Sequence, residues 1–213
     1  MSIVGEVRIV PHVPAAFAEL VTQEAPRSVA LSGGDTARSC YQLLATAAAL
    51  DWPGVEVFFG DERWVRTHDP DSNEGMARLA FLDEVGATVH SLRGAGSTVE
   101  AAAEAYDARL RAAPPIDLVH LGLGPDGHTA SLFPGSPALA VTDRLVVATG
   151  DDLHPHPRLT FTYPALARAR LVVVTVQGVE KQAAFAGVRS GEGPAARVVA
   201  DRVVWLVDPA AAG

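Results

Sequence analysis

DLVHLGLGPDGHTASLFPGS, residues 117 to 136, starts as an apolar run and breaks into a glycine-rich turn carrying Asp126 and His128. Leu118 to Leu121 has the short, continuous apolar character of a strand covered on both faces, as in a mostly parallel sheet. In open α/β sheets ligands gather at the carboxyl ends of such strands. The turn after Leu121 is therefore the candidate active-site loop.

On either side, short β-rich runs alternate with longer alanine-rich segments of helical spacing, the pattern of an α/β fold. Strands are predicted at 6 to 10, 28 to 32, Val55 to Phe59, Arg144 to Thr149, Leu159 to Tyr163, Leu171 to Val176 and Val203 to Val207. Helices are predicted over Pro14 to Ala25 and over Asp35 to Leu50, the latter with Ala37, Cys40, Tyr41, Leu44 and Ala48 on one face. Ser72 can cap a helix to about Glu84, Ser97 and Glu100 form a capping-box pattern for one to Ala112, and Gly178 to Val188 is the last long helix. There is no internal repeat or linker, and one domain over 1 to 213 is the simplest organisation.

Composition narrows the function. Of the 213 residues 48% are hydrophobic and 20% charged, which is globular rather than disordered. A net charge of -8 without a basic run argues against nucleic acid or anionic membrane as a partner. A small phosphorylated ligand is still allowed, since a nest of amides and a cation or two suffice for it. One cysteine, Cys40, suits a reducing cytoplasm and excludes a disulfide framework or multi-cysteine metal site. The N-terminal residues lack a signal-peptide pattern, and no apolar run reaches the length of a membrane span.

Three strand ends could carry chemistry. LSGGDT, residues 31 to 36, puts Gly33 and Gly34 between a strand and a helix N-terminus, an arrangement that exposes amides to an anion. A plain turn with Asp35 as helix cap fits equally well, and Asp35 would repel a bound dianion unless it points away. FFGDERWV follows a buried strand with Asp61, Glu62 and Arg63, which are costly there unless solvated, so a wet cleft is expected. Arg63 could hold an oxyanion or an acidic group and Asp61 could act as a base or bind sugar hydroxyls; a surface ion-pair cluster is the plainer alternative. The third loop matches G-x-G-x-x-G at Gly122, Gly124 and Gly127, but Pro125 inside it and Pro134 and Pro137 after it oppose the helix a dinucleotide site needs. His128, with an ordinary pKa of about 6.5, suits a general base, and Asp126 could orient its ring. No acyl-serine elbow and no zinc motif occurs. His154 and His156, in HPHPR, read better as a surface loop than as metal ligands.

Taken together, SGGDT (32 to 36), GDERWV (60 to 65), DPDSNEGMAR (69 to 78), GLGPDGHTASLFPGS (122 to 136), RLTFTYPAL (158 to 166) and GVEKQAAF (178 to 185) resemble the 6-phosphogluconolactonase family. That family shares a Rossmann-like fold with the glucosamine-6-phosphate deaminases, and the resemblance covers nearly the whole chain. Deaminases continue after Asp-Gly-His with a segment bearing a catalytic glutamate, where this chain has Ser131, Leu132 and Phe133. The departure favours the lactonase. The family's phosphate loop carries a second serine and a proline where this chain has Asp35 and Ala37, leaving the contact to backbone amides of Ser32, Gly33, Gly34 and Thr36 and their neighbours. By resemblance, Lys181 and Arg158 approach the phosphate.

The resemblance implies hydrolysis of 6-phospho-D-glucono-1,5-lactone to 6-phosphogluconate, a step of the oxidative pentose phosphate pathway, in the cytoplasm. No cofactor or metal is called for, because a lactone is an activated ester. His128 would be the base, with Arg63, Asp126 and Asp61 stabilising or positioning. An amino-sugar-phosphate deaminase and a non-catalytic sugar-phosphate sensor are the alternatives. The partner is a phosphorylated sugar lactone, and the expected assembly is a monomer or small homo-oligomer.

Overall fold

The computed structural model describes residues 3–46, 50–150 and 155–213. The chain begins with β1 (Glu6–Ile9), α1 (Val13–Glu24), β2 (Ser28–Leu31) and α2 (Asp35–Thr46). Then come β3 (Glu56–Phe59), β4 (Asp61–Arg63), α3 (Asn73–Ala77), a π-helical turn (Arg78–Leu82), α4 (Asp83–Val85) and β5 (Thr88–Val89). The second half holds α5 (Val99–Ala112), β6 (Leu118–Gly122), β7 (Val146–Thr149), β8 (Arg158–Phe161), α6 (Tyr163–Ala167), β9 (Leu171–Val176), α7 (Gln182–Arg189), β10 (Arg202–Val207) and α8 (Pro209–Ala212).

Seven strands form one parallel sheet in the order β1-β10-β9-β6-β2-β3-β5. All of β9 is buried, so both faces of the sheet are covered. Register shows which helices cover which face. Trp205 aligns with Val174 and Val174 with Leu121, so these side chains share one face, and His120 points to the other. Phe17 of α1 and Tyr41 of α2 meet the His120 ring, at 4.1 and 5.5 Å between centroids. Phe185 of α7 meets Trp205 at 6.1 Å, on the opposite face. The core is therefore two apolar layers with the sheet between them.

From β2 the chain adds strands outward through β3 to β5, and from β6 it adds them the other way through β9 to β10. The order reverses between β2 and β6, where the loops after neighbouring strands diverge and leave a crevice. All strands being parallel, Ser32, Gly60, Leu123 and Gln177 follow strand ends along the same edge.

Several expectations need correction. The segments around 146 to 161 do not join the parallel sheet. β4, β8 and β7 form a separate three-stranded antiparallel sheet, with Asp61 to Arg63 as a strand rather than a loop. Tyr163 belongs to α6, because Pro164 at the second helical position fits a helix start and not a strand. The cap of α5 is Thr98, whose side chain accepts from the Ala101 amide, so Ser97 and Glu100 form no capping box. Asp35 is the first helical residue; the Gly34 carbonyl accepts the Arg38 amide at 2.9 Å and makes Gly34 the cap. Ser72 does cap α3, but the helix is interrupted by the π turn. A 3₁₀ turn (Val179–Lys181) precedes α7. Ala48 and His154 lie outside the described residues, and Leu50, the predicted end of the second helix, stands in a bend and not in a helix.

Candidate active site

A cavity of about 210 Å³ opens at the β2–β6 crevice. Ser32, Gly33 and Gly34 line it from the loop after β2, Asp61 and Arg63 from β4, His128 from the loop after β6, Arg158 from β8, and Lys181 from the turn after β9. Gly33, Gly34 and Lys181 are shared with an adjoining lobe of about 200 Å³, which Thr36 lines. Asp126 does not line the cavity and stands behind the histidine. A larger cavity, about 750 Å³, has walls of Met76, Leu79, Ala80 and Pro70 on the α3 side. Arg38, His68, Asp69, Arg78 and Asp83 line it too, but Arg38 is paired with Asp35 and Arg78 with Glu74 and Asp83, so it lacks the unpaired cations of the crevice, and the smaller cavity is the candidate site.

The loop after β6 is braced by its own backbone. The Gly124 amide donates to His128 O at 2.8 Å, the Gly127 amide to Gly124 O at 3.0 Å, and Thr129 Oγ1 to Gly122 O at 2.8 Å. No helix starts between residues 123 and 136, so the glycine pattern forms a turn and not a dinucleotide fingerprint. Ala130 has φ 48°, a left-handed conformation that costs energy for a residue with a side chain, and it lines the cavity beside His128. His128 Nδ1 lies 2.5 Å from Asp126 Oδ1, and the His128 amide donates to the same oxygen at 3.1 Å. Burial raises the Asp126 carboxyl pKa, but these bonds from His128 outweigh it and hold the carboxyl below its ordinary range. With Nδ1 engaged, Nε2 is the nitrogen available to a ligand.

β4 and β8 place two guanidiniums side by side, since Arg63 and Arg158 are register partners. Arg63 Nη1 donates to Asp71 O at 2.6 Å. The Nε of each arginine is buried without a hydrogen-bond partner, and neither arginine has an ion pair among the described residues. Burial first, and then the neighbouring Arg63, lower the Arg158 pKa. Two neighbouring cations, each with a buried unmet donor, are an arrangement that an anionic ligand would complete.

The three acidic residues nearby behave differently. Asp61 is buried but faces the cavity, accepting from Ser131 Oγ at 2.7 Å and Asn73 Nδ2 at 3.1 Å. Glu62, expected in a wet cleft, is instead 1% exposed. It accepts from the Arg63, Asn73 and Glu74 amides at 2.8 Å each and from Ser72 Oγ at 3.0 Å, so it holds the start of α3 against β4. Asp35 is solvated, with a side chain 94% exposed and 3.2 Å from Arg38. Its carboxylate is thus drawn toward that cation.

Asn73 and Ala130 are cavity residues that sequence reasoning did not single out. Asn73 lay inside a recognised motif, but only the meeting of α3 with the loop after β2 brings its side chain over Gly33, where a Cβ would lie 1.9 Å from its Oδ1. His156 pairs with Asp71 at 3.1 Å. Among the described residues no group of three or more His, Cys, Asp or Glu could hold a metal ion, and no helix is long and apolar enough to cross a membrane.

Comparison with known proteins places this geometry. A 6-phosphogluconolactonase from Synechocystis sp. is 40% identical over 213 residues, covering 92% of this chain and 88% of the relative. The structure of 6-phosphogluconolactonase from Trypanosoma cruzi superposes with a TM-score of 0.85 at 26% identity, covering 100% of this chain and 97% of the other. A monomeric glucosamine-6-phosphate deaminase shares the fold, with a TM-score of 0.83 at 18% identity and coverage of 97% and 98%. The family model described as glucosamine-6-phosphate isomerases/6-phosphogluconolactonase matches residues 8–205, and the chain belongs to that family.

Proposed function

We propose that the chain is a 6-phosphogluconolactonase, hydrolysing 6-phospho-D-glucono-1,5-lactone to 6-phosphogluconate by general-base catalysis at His128. One observation carries this reading. A histidine tethered at Nδ1 by Asp126 shares a small cavity with Arg63, Arg158 and Lys181, two of which have unmet buried donors. The names of the relatives support the substrate, and the cavity supplies a base and an anion site within reach of one small molecule.

In the proposed reaction Nε2 of His128 takes a proton from water as the water oxygen bonds to C1. The carbonyl π pair moves to oxygen, and Arg63 stabilises the resulting oxyanion. Collapse of the tetrahedral intermediate breaks the bond from C1 to the ring oxygen, which receives the proton from His128. The product acid then ionises. Asp126 fixes the ring and favours the imidazolium in between, while Asp61 positions sugar hydroxyls. Arg158, Lys181 and the amides from Ser32 to Thr36 hold the phosphate, so remote binding energy orients the reacting carbonyl.

The test is the rate of lactone hydrolysis by purified protein, with the spontaneous rate subtracted. His128→Ala should lose ~10²- to 10⁴-fold in kcat and stay folded. Near-wild-type turnover by that variant would sink the role of His128. Ammonia release from glucosamine 6-phosphate by the wild type would instead support the deaminase reading, and binding of 6-phosphogluconate without turnover the sensor reading.

A further inference from the structure

Phe133 is 8% exposed, yet among the described residues it lies outside the continuous apolar core. Its ring stands between two groups of the site. The centroid is 4.5 Å from that of the His128 imidazole, at an interplanar angle of 47°, and 5.3 Å from the Arg158 guanidinium carbon. Every other large buried aromatic side chain packs within the core, where its burial is repaid by apolar neighbours. Phe133 is placed where it touches chemistry.

An aromatic ring suits this position for two physical reasons. It is rigid, with two torsions and a flat face, so it defines where its neighbours can sit better than a flexible aliphatic chain does. Its face is also electron-rich, which favours a desolvated cation. Arg158 is such a cation, since its Nε is buried without a hydrogen-bond partner and its register partner across the sheet is the like-charged Arg63. Among the described residues the hydrogen bond of the His128 ring is the one between Nδ1 and Asp126, which leaves the tilt of the ring to be fixed by packing.

We propose that Phe133 is a positioning residue that seats the His128 imidazole and the Arg158 guanidinium on one rigid ring and thereby sets the spacing between the base and the anion site. Its kinetic readout rests on the lactonase reading above. The spacing selects substrates whose anionic group lies at a fixed reach from the reacting carbonyl, so a change of ring should alter both turnover and affinity.

The experiment compares Phe133→Leu, Phe133→Met and Phe133→Tyr with the wild type. It measures kcat and KM on freshly generated lactone, calorimetric affinity for inorganic phosphate, and the melting temperature. Leu and Met fill the space without a ring and should lose ~10- to 100-fold in kcat, the scale of a small misplacement of a reacting group. They should also raise KM and weaken phosphate binding ~3- to 30-fold, the range of a lost cation–π contact. Tyr keeps the ring and should restore each value to within ~3-fold of wild type, which a mere filling role does not require. If the Leu variant fails to fold, Met decides, being flexible and of similar volume. Wild-type kcat, KM and phosphate affinity in a folded Leu or Met variant would overturn the proposal. So would a Tyr variant that is folded and as impaired as Leu. Absence of lactone turnover in the wild type would refute the lactonase reading alone, and phosphate affinity would still decide whether the ring seats Arg158.

Discussion

His128 has room for its ring only because residue 124 has no side chain. A Cβ on Gly124 would lie 2.1 Å from His128 Nδ1 and 2.2 Å from Cε1, so Gly124→Ala must push the imidazole off Asp126. Kinetics on that variant should show a fall in kcat of ~10²-fold with little change in melting temperature, because the loop backbone stays braced by other bonds. A variant with full turnover would mean that the observed ring position is not the reactive one. The same logic applies at Gly33, where Asn73 occupies the space a Cβ would need. Glycine in these loops therefore makes way for neighbouring side chains as well as for a tight turn.

At the scale of elements, the start of α3 is the part whose support is least ordinary. Its first amides are satisfied from β4 by Glu62, and its third by the Ser72 cap. Burial pushes the Glu62 carboxyl up to about 7, against the four hydrogen bonds that favour the carboxylate. The protonated form can be held too, since Ser72 Oγ can turn from donor to acceptor. A folded pKa near 7 against an ordinary 4.5 means the native state binds more protons than the unfolded chain between those values. The stability from this group is complete below pH ~4.5 and is lost as pH rises to ~7, by up to about 3 kcal/mol. Urea unfolding across that window should show wild type losing stability relative to Glu62→Gln as pH rises, and parallel curves would refute the shift. Glu62 also shows where legibility stopped. The charge run after β3 pointed to the strand-end cavity that Asp61 and Arg63 line, because a strand end in a parallel sheet is a ligand edge. It could not reveal that these residues pair with β8, since antiparallel partners so far apart in the chain (Asp61 with Thr160, Glu62 with Leu159, Arg63 with Arg158) leave no local periodicity. The parallel strands were readable from their own apolar runs, whereas β5, two residues long, carried no such signal.

Across the whole molecule, the site is joined to the core by a buried polar chain. The Tyr41 hydroxyl accepts from the Ser32 amide at 2.7 Å and lies 2.9 Å from His120 Nδ1, while His120 Nε2 lies 2.9 Å from Thr175 Oγ1. Burial drives the His120 pKa down to about 3, so the folded protein holds it neutral. The unfolded chain takes up a proton near pH 6.5, and the stability from this group is complete above that pH and lost as pH falls toward 3. The linked loss reaches up to about 5 kcal/mol, opposite in sign to that of Glu62 where the two windows overlap. Acid unfolding of His120→Gln should show a shallower pH dependence than wild type, whatever its absolute stability, and an unchanged slope would exclude His120 as the proton acceptor. The pairing of β1 with β10 has a further consequence, for synthesis on the ribosome. β1 cannot pair before β10 has been made, since Glu6 lies opposite Val204, so its backbone donors and acceptors stay unpaired while everything between the two strands is synthesised, an open strand edge of the kind that chaperones cover.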